Sequence, residues 1–287
     1  MEKKGIIWIL GILAGLNFFA WLAVYDFSRH QLLEVNFFDV GQGDSAFIET
    51  PKGRQILIDG GPSSAILEKL SKEMPFWDRT IDLVILTHPE KDHMSGLLDV
   101  LKRYKVENIL WTGVVRDTAE YKEWEKLIKE EGARIIIAKA SQKIIIARSV
   151  LAILYPLDNL EGKVFKDSNN TSIVIKLSFG ENNFLFTGDA LKLVEKEIIG
   201  RGLDIKSDVL KIGHHGSKTS SGEEFIEQVS PAIAVISAGR NNSYGHPHQE
   251  VLDTLNKYGI TVLRTDQNGD IKIISNGDNF KLITSKI

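Results

Sequence analysis

Apolar and polar positions divide the chain into one continuous apolar run and a long alternating remainder. From Gly5 to Tyr25 every residue but Asn17 is apolar, and as a helix that run spans roughly 30 Å, the hydrocarbon thickness of a bilayer. The pattern predicts one transmembrane helix at about residues 5–25. Trp21-Leu22-Ala23-Val24-Tyr25 offers no small-x-small cleavage site, so residues 1–30 read as an anchor held by membrane lipid and not as a removed leader. Lys3 and Lys4 precede the run, whereas Asp26 and Arg29 cancel after it. The excess of positive charge places the N-terminus in the cytoplasm and the globular part, residues 31–287, outside.

Beyond the anchor the apolar period shifts repeatedly between that of a strand and that of a helix. Leu33–Val40 and Ser45–Thr50 read as strands joined by the tight turn Gly41-Gln42-Gly43-Asp44, with Asp39 and Asp44 bracketing it, and Arg54–Asp59 follows as a third. Strands and helices then alternate: Leu83–Leu86, a helix from Gly96 to Arg103, Asn108–Trp111, a helix over Tyr121–Glu131, and Ile135–Ile137. Strands resume at Ile144–Tyr155, Ser172–Ser178 and Phe184–Thr187. A helix at Leu191–Ile199, strand Val209–Ile212, helix Glu223–Val229, strand Ile233–Ser237 and helix Glu250–Tyr258 lead to closing strands from Thr261 onward.

Asp82-Leu-Val-Ile-Leu-Thr-His88 and Asp208-Val-Leu-Lys-Ile-Gly-His214 share an acid, an apolar strand and a histidine six positions on. An internally duplicated sandwich produces such a pair. Strands that read as nearly continuous apolar runs need cover on both faces, so the expected architecture is two packed sheets with helices outside both, one domain throughout.

Composition narrows the chemistry. The chain has no cysteine, so any metal site must use nitrogen and oxygen ligands. The net charge is −3, of which the first thirty residues contribute +1, leaving −4 on the remainder. A general basic footprint for nucleic acid is therefore missing, and only a local patch would serve.

Six of the seven histidines fall in three clusters at or just past predicted strand ends: His88/His93, His214/His215 and His246/His248. Only His30 stands apart. His88, Glu90, Asp92 and His93 place four possible ligands in six residues, and in an extended turn they can address two adjacent ions. A polar loop capping the next helix, with Asp92 or Ser95 as N-cap, would not require two histidines and two acids. Thr187-Gly188-Asp189 supplies a further acid at a strand end, able to bridge two ions, with glycine permitting close backbone approach; Asp189 as a plain N-cap of the following helix is the lesser alternative.

Thr87-His88-x-Glu90-x-Asp92-His93, with Ile56–Gly61 upstream and Thr187-Gly188-Asp189 downstream, resembles the metallo-β-lactamase superfamily. Phe38–Asp44, Asn169-Asn170-Thr171-Ser172, Lys211–Ser217 and Tyr244-Gly245-His246-Pro247 are similar to the lactamase-like C-terminal domain of ComEC, a DNA-uptake protein. The resemblance implies an α/β fold of the αββα kind, with two mixed sheets and helices on both outer faces. It also implies a dinuclear site: His88 and Glu90 on one ion, Asp92 and His93 on the other, Asp189 between them. The Asp208-to-His214 correspondence favours His214 as the remaining ligand. His215 is then left to hydrogen-bond substrate or shuttle a proton, making Asp92 and His215 the expected catalytic pair. Asp59 is expected to brace the loop from behind the ligands.

Glu90 departs from the pattern, where an aspartate or histidine is usual. No histidine lies between Met94 and Gly213, so Asn169, Asn170 or water must stand in on the first ion. An oxygen-rich set suits two divalent ions, zinc or manganese. Such a site matches phosphodiesters. Ser217, Lys218, Asn170 and His246 are candidates to hold substrate, with Ser220, Asn241, Asn242 and Tyr244 near them. A strand-binding patch would draw on Lys91, Lys211, Lys218 and Arg240. The resemblance implies nuclease action, with single-stranded DNA as the candidate substrate; a cell-surface phosphodiesterase for teichoic-acid or phosphorylcholine linkages, or a tethered accessory protein that binds metal or DNA without turnover, are the alternatives. No protein partner is inferable.

Overall fold

The structure, a computed structural model, describes residues 3–29 and 31–286. Helix α1 (Lys3–Arg29) contains the stretch Gly5–Leu22, which is long and apolar enough to cross a membrane and of which nothing is buried. A membrane span and a signal sequence both meet that test. His30 lies outside the described residues, and so do the side chains of Lys3, Lys4, Asp26 and Arg29 on which the expected orientation rests.

The first half gives β1 (Leu33–Phe37), β2 (Ala46–Thr50), β3 (Arg54–Ile58), α2 (Ala65–Glu73), β4 (Thr80–Ile85), α3 (Lys91–Leu101), β5 (Lys105–Trp111), α4 (Ala119–Glu131) and β6 (Arg134–Ile137). The second gives β7 (Lys143–Ile146), β8 (Ser149–Tyr155), β9 (Val174–Phe179), β10 (Asn182–Phe186), α5 (Lys192–Gly200), β11 (Val209–Lys211), α6 (Glu223–Val229), β12 (Ile233–Ile236), α7 (Gln249–Lys257), β13 (Thr261–Arg264), α8 (Thr265–Asn268), β14 (Ile271–Ser275) and β15 (Phe280–Thr284). They assemble into two mixed sheets, of order β15-β14-β1-β2-β3-β4-β5-β6 and β13-β12-β11-β10-β9-β8-β7.

The two sheets repeat one pairing scheme. Along β1 to β6 the neighbours run antiparallel, antiparallel, then parallel three times, and β8 to β13 do the same. In this scheme β4 corresponds to β11. Asp82 accepts a hydrogen bond from the Gln55 N–H of β3, and Asp208 accepts one from the Asn183 N–H of β10, each at 2.8 Å. The duplicated acid thus ties each strand to its neighbour at the end far from the histidines.

Alternate residues of one strand feed two cores. Leu83 and Ile85 join Val35, Phe37, Ile48, Leu177, Phe186 and Val235 between the sheets. Val84 and Leu86 face outward, with Leu57 and Ile109, onto Ile66, Leu70, Leu97 and Trp124 of α2, α3 and α4. A third cluster packs Leu185, Leu210 and Ile236 under α5, α6 and α7. Each buried aliphatic or aromatic side chain contributes roughly 1.5–3 kcal/mol of transfer free energy, which is why neither face can stay open. α4 shows how a helix is delimited here: Thr118 accepts from the Tyr121 N–H at its start, Gly132 closes it at φ 68, and Tyr121, Trp124, Leu127 and Ile128 form its buried stripe.

The structure differs from the sequence reading in three elements. α2 was not anticipated, because only Ile66 and Leu70 of its nine residues are buried and the apolar signal is correspondingly thin. The expected strand Ile144–Tyr155 is a hairpin, turning at Ala147 with φ 54 although Ala-Arg carries no turn signal. Helix α3 begins at Lys91, not Gly96, so Asp92 and His93 stand in its first turn instead of an extended loop.

Candidate metal centre

The C-terminal ends of β3, β4, β10 and β11 converge at one end of the sandwich, and the loops that follow them carry the candidate ligands. The start of α3 is pressed into this end by two glycines. A Cβ on Gly96 would lie 1.9 Å from the Gly60 carbonyl oxygen, and one on Gly43 would lie 2.2 Å from that of Asp92; only glycine allows either approach. Glu90 is the N-cap residue in extended conformation, with no capping bond from its side chain. Neither Asp92 nor Ser95 caps this helix, and Asp189 does not cap α5, whose N-cap is Leu191.

Asp189 Oδ2 is the hub. It lies 3.4 Å from His93 Nε2 and 3.4 Å from His215 Nε2, with His88 Nε2 at 4.0 Å and His214 Nε2 at 3.9 Å. Asp92 Oδ2 is 3.2 Å from His215 Nε2. Asp92, His93, Asp189 and His215 therefore present one ligand atom each, all within 4.8 Å of one another. The gathered histidine is His215 and not His214, reversing the preference drawn from the strand correspondence. His214 and His88 hold equivalent positions in the duplicated topology and sit farther out, at 3.9 and 4.0 Å from Asp189 Oδ2.

Both histidines of the pair are held in the left-handed region, at φ 47 and φ 54, a conformation costing on the order of 1–3 kcal/mol for each such residue. The surroundings over-determine it. The His214 N–H donates to the Gly188 carbonyl, and His215 Nδ1 is fixed by the Ser237 carbonyl at 3.0 Å and Asp44 Oδ1 at 3.2 Å.

Two buried acids stand behind the ligands. Asp59 accepts from the Thr87 N–H and hydroxyl and lies 2.8 Å from His93 Nδ1. Asp44, read from sequence only as part of a turn, lies beside His215 Nδ1 and 2.6 Å from the buried Lys211 ammonium. Each acid turns its imidazole so that Nε2 faces the hub. Lys211, counted among strand-binding cations, is thus internal to the site.

The electrostatics follow from this crowding. Burial opposes charge on His93 and His215, yet Asp189 with Asp59, and Asp189 with Asp44, hold them well above the usual imidazole range. Asp189 goes well below the carboxylate range against its burial, through His215 and His93. Burial and the neighbouring His93 push His88 down to about 3, so it is neutral and ready to donate a lone pair.

The residues present fit a divalent ion. His88 Nε2, His93 Nε2 and Asp189 Oδ1 are buried without a hydrogen-bond partner, and each orphan costs about 1–3 kcal/mol unless something binds there. Imidazole and carboxylate with no sulfur is a donor set for zinc or manganese.

A cleft of about 640 Å³ lies over the hub, lined by Gln42, Lys166, Asn169, His214, Tyr244 and His246 among others; of the residues expected to hold substrate, His246 lines it and Asn170, Ser217 and Lys218 do not. Glu90 also lines it, but its carboxylate is held by Arg116 at 2.8 Å and by the Ser168 hydroxyl, outside the four-residue group. Asn169, not Asn170, faces His214, 3.5 Å from its Nε2. Asn170 has a buried Oδ1 without partner. The Ser217 hydroxyl is spent on Thr219, and exposed Lys218 meets His248 through its backbone. His246 stacks on Tyr244 at 5.7 Å, with its pKa lowered to about 4 by burial and by His215 and His214. Of the expected cationic patch, Lys91 pairs with Glu120 at 3.5 Å and Arg240 is exposed. Lys166 is the cleft cation that sequence reading passed over.

The sequence profile of the metallo-beta-lactamase superfamily matches residues 38–240. The chain is 38% identical over 257 residues to ComE operon protein 3 of Bacillus subtilis, covering 83% of this chain and 32% of that protein. It is 32% identical over 248 residues to Recombination protein 2 of Haemophilus influenzae, covering 84% and 28%. The chain thus spans less than a third of the length of these curated relatives. Among solved structures it resembles the metallo-beta-lactamase fold protein YhfI of Bacillus subtilis, at TM-score 0.58 and 14% identity over 84% of this chain and 99% of that one. The metallo hydrolase Igni18 of Ignicoccus hospitalis superposes at TM-score 0.54 and 16% identity, over 83% and 98%. Both likenesses concern the fold alone.

Proposed function

The chain belongs to the metallo-beta-lactamase superfamily, and from that premise we propose that it is a metal-dependent phosphodiesterase whose substrate is a nucleic-acid strand. The observation that carries this reading is the group Asp92, His93, Asp189 and His215, one ligand atom from each within 4.8 Å, at the floor of an open cleft. Divalent ions held there, zinc or manganese, supply Lewis acidity to water and neutralise charge on phosphoryl oxygens. His88 and His214, each with Nε2 about 4 Å from Asp189 Oδ2, are the nitrogen donors that would hold a second ion.

The chain's own groups do the rest. Asp59 holds the Nδ1 proton of His93, and the Ser237 carbonyl, with Asp44 beside it, holds that of His215, so that both Nε2 atoms point to the hub. His214, partly exposed and with its pKa lowered by burial, is a neutral imidazole at the cleft wall; its Nδ1 meets the Thr219 hydroxyl at 3.1 Å, which turns the Nε2 lone pair toward Asp189. Tyr244 stacked on His246 offers an aromatic rim at which a base can rest. Similarity to proteins named for competence and recombination favours a DNA strand over a cell-surface teichoic-acid or phosphorylcholine diester, and Lys166 in the cleft provides a contact for a phosphate.

Turnover of single-stranded DNA beside a small aryl phosphodiester, with zinc or manganese and after exhaustive chelation, tests this. Metal-dependent cleavage of both is expected. Cleavage of the small diester alone would point to the cell-surface substrate, and metal binding without any turnover to the accessory-protein reading.

A further inference from the structure

The end of the sandwich opposite the metal centre carries an aromatic pair that the folded domain does not use. Phe76 and Trp77, in the loop between α2 and β4, are 81% and 73% exposed and touch each other edge to face at 4.8 Å between ring centres. Burial of two such rings is worth roughly 1.5–3 kcal/mol for each, so leaving both in water is costly unless something covers them. Exposed Lys52, Arg79 and Arg103 lie in the segments just before β3, β4 and β5, and exposed Lys105 opens β5, bonded to Arg79 through the backbone.

The strand register fixes where this loop is relative to α1. Glu34 pairs with Glu49, Thr50 with Arg54, and Thr80 with Lys105, while β3 and β4 run parallel. The beginnings of β1, β3, β4 and β5 therefore share one end of the sheet. Helix α1 ends at Arg29 and β1 starts at Leu33, a gap that a fully extended chain spans in at most about 15 Å. The apolar helix is thus tethered to the end of the domain that exposes Phe76, Trp77 and the cations.

We propose that the Phe76–Trp77 tip is a second membrane contact, inserted at the headgroup level of the bilayer that α1 crosses, with Lys52, Arg79, Arg103 and Lys105 against anionic lipid. Aromatic rings favour that depth and each cation near such a surface adds about 1 kcal/mol. The proposal rests on α1 being embedded in the bilayer. β4, six residues long, then stands between lipid and ligands and lifts the metal centre by about 20 Å at ~3.3 Å a residue. The cleft opens to water, where a polymer can reach it, and not to lipid.

Tryptophan quenching tests this in the full chain reconstituted into vesicles of brominated phosphatidylcholine and phosphatidylglycerol. In the variant Trp8→Phe/Trp21→Phe the remaining tryptophans are Trp77, exposed, and Trp111 and Trp124, which are 7% and 0% exposed, so quenching reports the tip. In Trp77→Phe, with Trp8 and Trp21 kept, quenching reports α1. Both reporters quenched, with the tip signal lost on adding Trp77→Phe to the first variant, is the expected result. A quenched helix with an unquenched tip overturns the proposal and leaves α1 in the bilayer. If neither is quenched, the reading of α1 fails and the proposal falls with it.

Discussion

Asp59 Oδ2 lies 2.8 Å from His93 Nδ1, with both groups buried and Asp59 further held by the N–H and hydroxyl of Thr87. That bond sets the tautomer and the heading of a ring whose other nitrogen faces Asp189. Asp59→Asn is expected to weaken metal binding by on the order of 10–100-fold while the fold persists. Competition against a chromophoric chelator measures it; unchanged affinity would remove Asp59 from the site's support.

Lys211 and Asp44 form the counterpart behind His215, 2.6 Å apart and 5% and 8% exposed. Lys211→Met takes the closer of two cationic partners from the buried Asp44 carboxylate and leaves His215 as the other, and is expected to destabilise the protein by about 3 kcal/mol. Much of the loss should return in Lys211→Met/Asp44→Asn, because the underpaired charge is gone. Denaturant unfolding of the full chain in detergent reads both variants, and equal losses in the two would show that the pair is not what stabilises this corner.

Glu195 titrates outside the four-residue group, against the backbone of the loop that follows His215. Burial pushes it from 4.5 up to about 7, against the N–H groups of Gly222 and Ser221 and the charge of Lys192. The folded state keeps a proton that the unfolded chain has already released, so this contribution is complete below pH 4.5 and is lost as pH rises to about 7. The loss amounts to on the order of 3 kcal/mol at 1.36 kcal/mol per pH unit. Glu195→Gln should flatten the fall in melting temperature across that window, and an unchanged slope would exclude Glu195 as its source.

Lys166 is the exposed cation of the cleft lining. Lys166→Glu should raise KM for single-stranded DNA several-fold and lower its salt dependence by about one phosphate contact, with little effect on a small aryl phosphodiester. Equal losses on both substrates would place Lys166 in the chemistry and not in strand binding.

What the sequence made legible was local. The three histidine clusters, the Asp82/Asp208 duplication and the strand-end position of Asp189 are patterns within a few residues, and the structure brings those six histidines into one run of neighbouring rings, of which His214, His215 and His246 line the cleft. What stayed hidden depends on partners far along the chain. Glu90 reads as a ligand until Arg116 and Ser168 draw its carboxylate aside. Asp44 reads as a turn residue until Lys211 and His215 arrive from the other sheet. The choice between His214 and His215 turns on left-handed backbone, which no side-chain pattern announces for two consecutive histidines.

The choice between those two histidines also gives the most direct test of the four-residue metal group. Bound metal per chain should be measured by elemental analysis for the unsubstituted chain and for His215→Ala and His214→Ala, alongside phosphodiester turnover. The geometry predicts that His215→Ala loses metal and activity together, whereas His214→Ala keeps the ion held by Asp92, His93, Asp189 and His215. Metal stripped by His214→Ala and retained by His215→Ala would contradict the account.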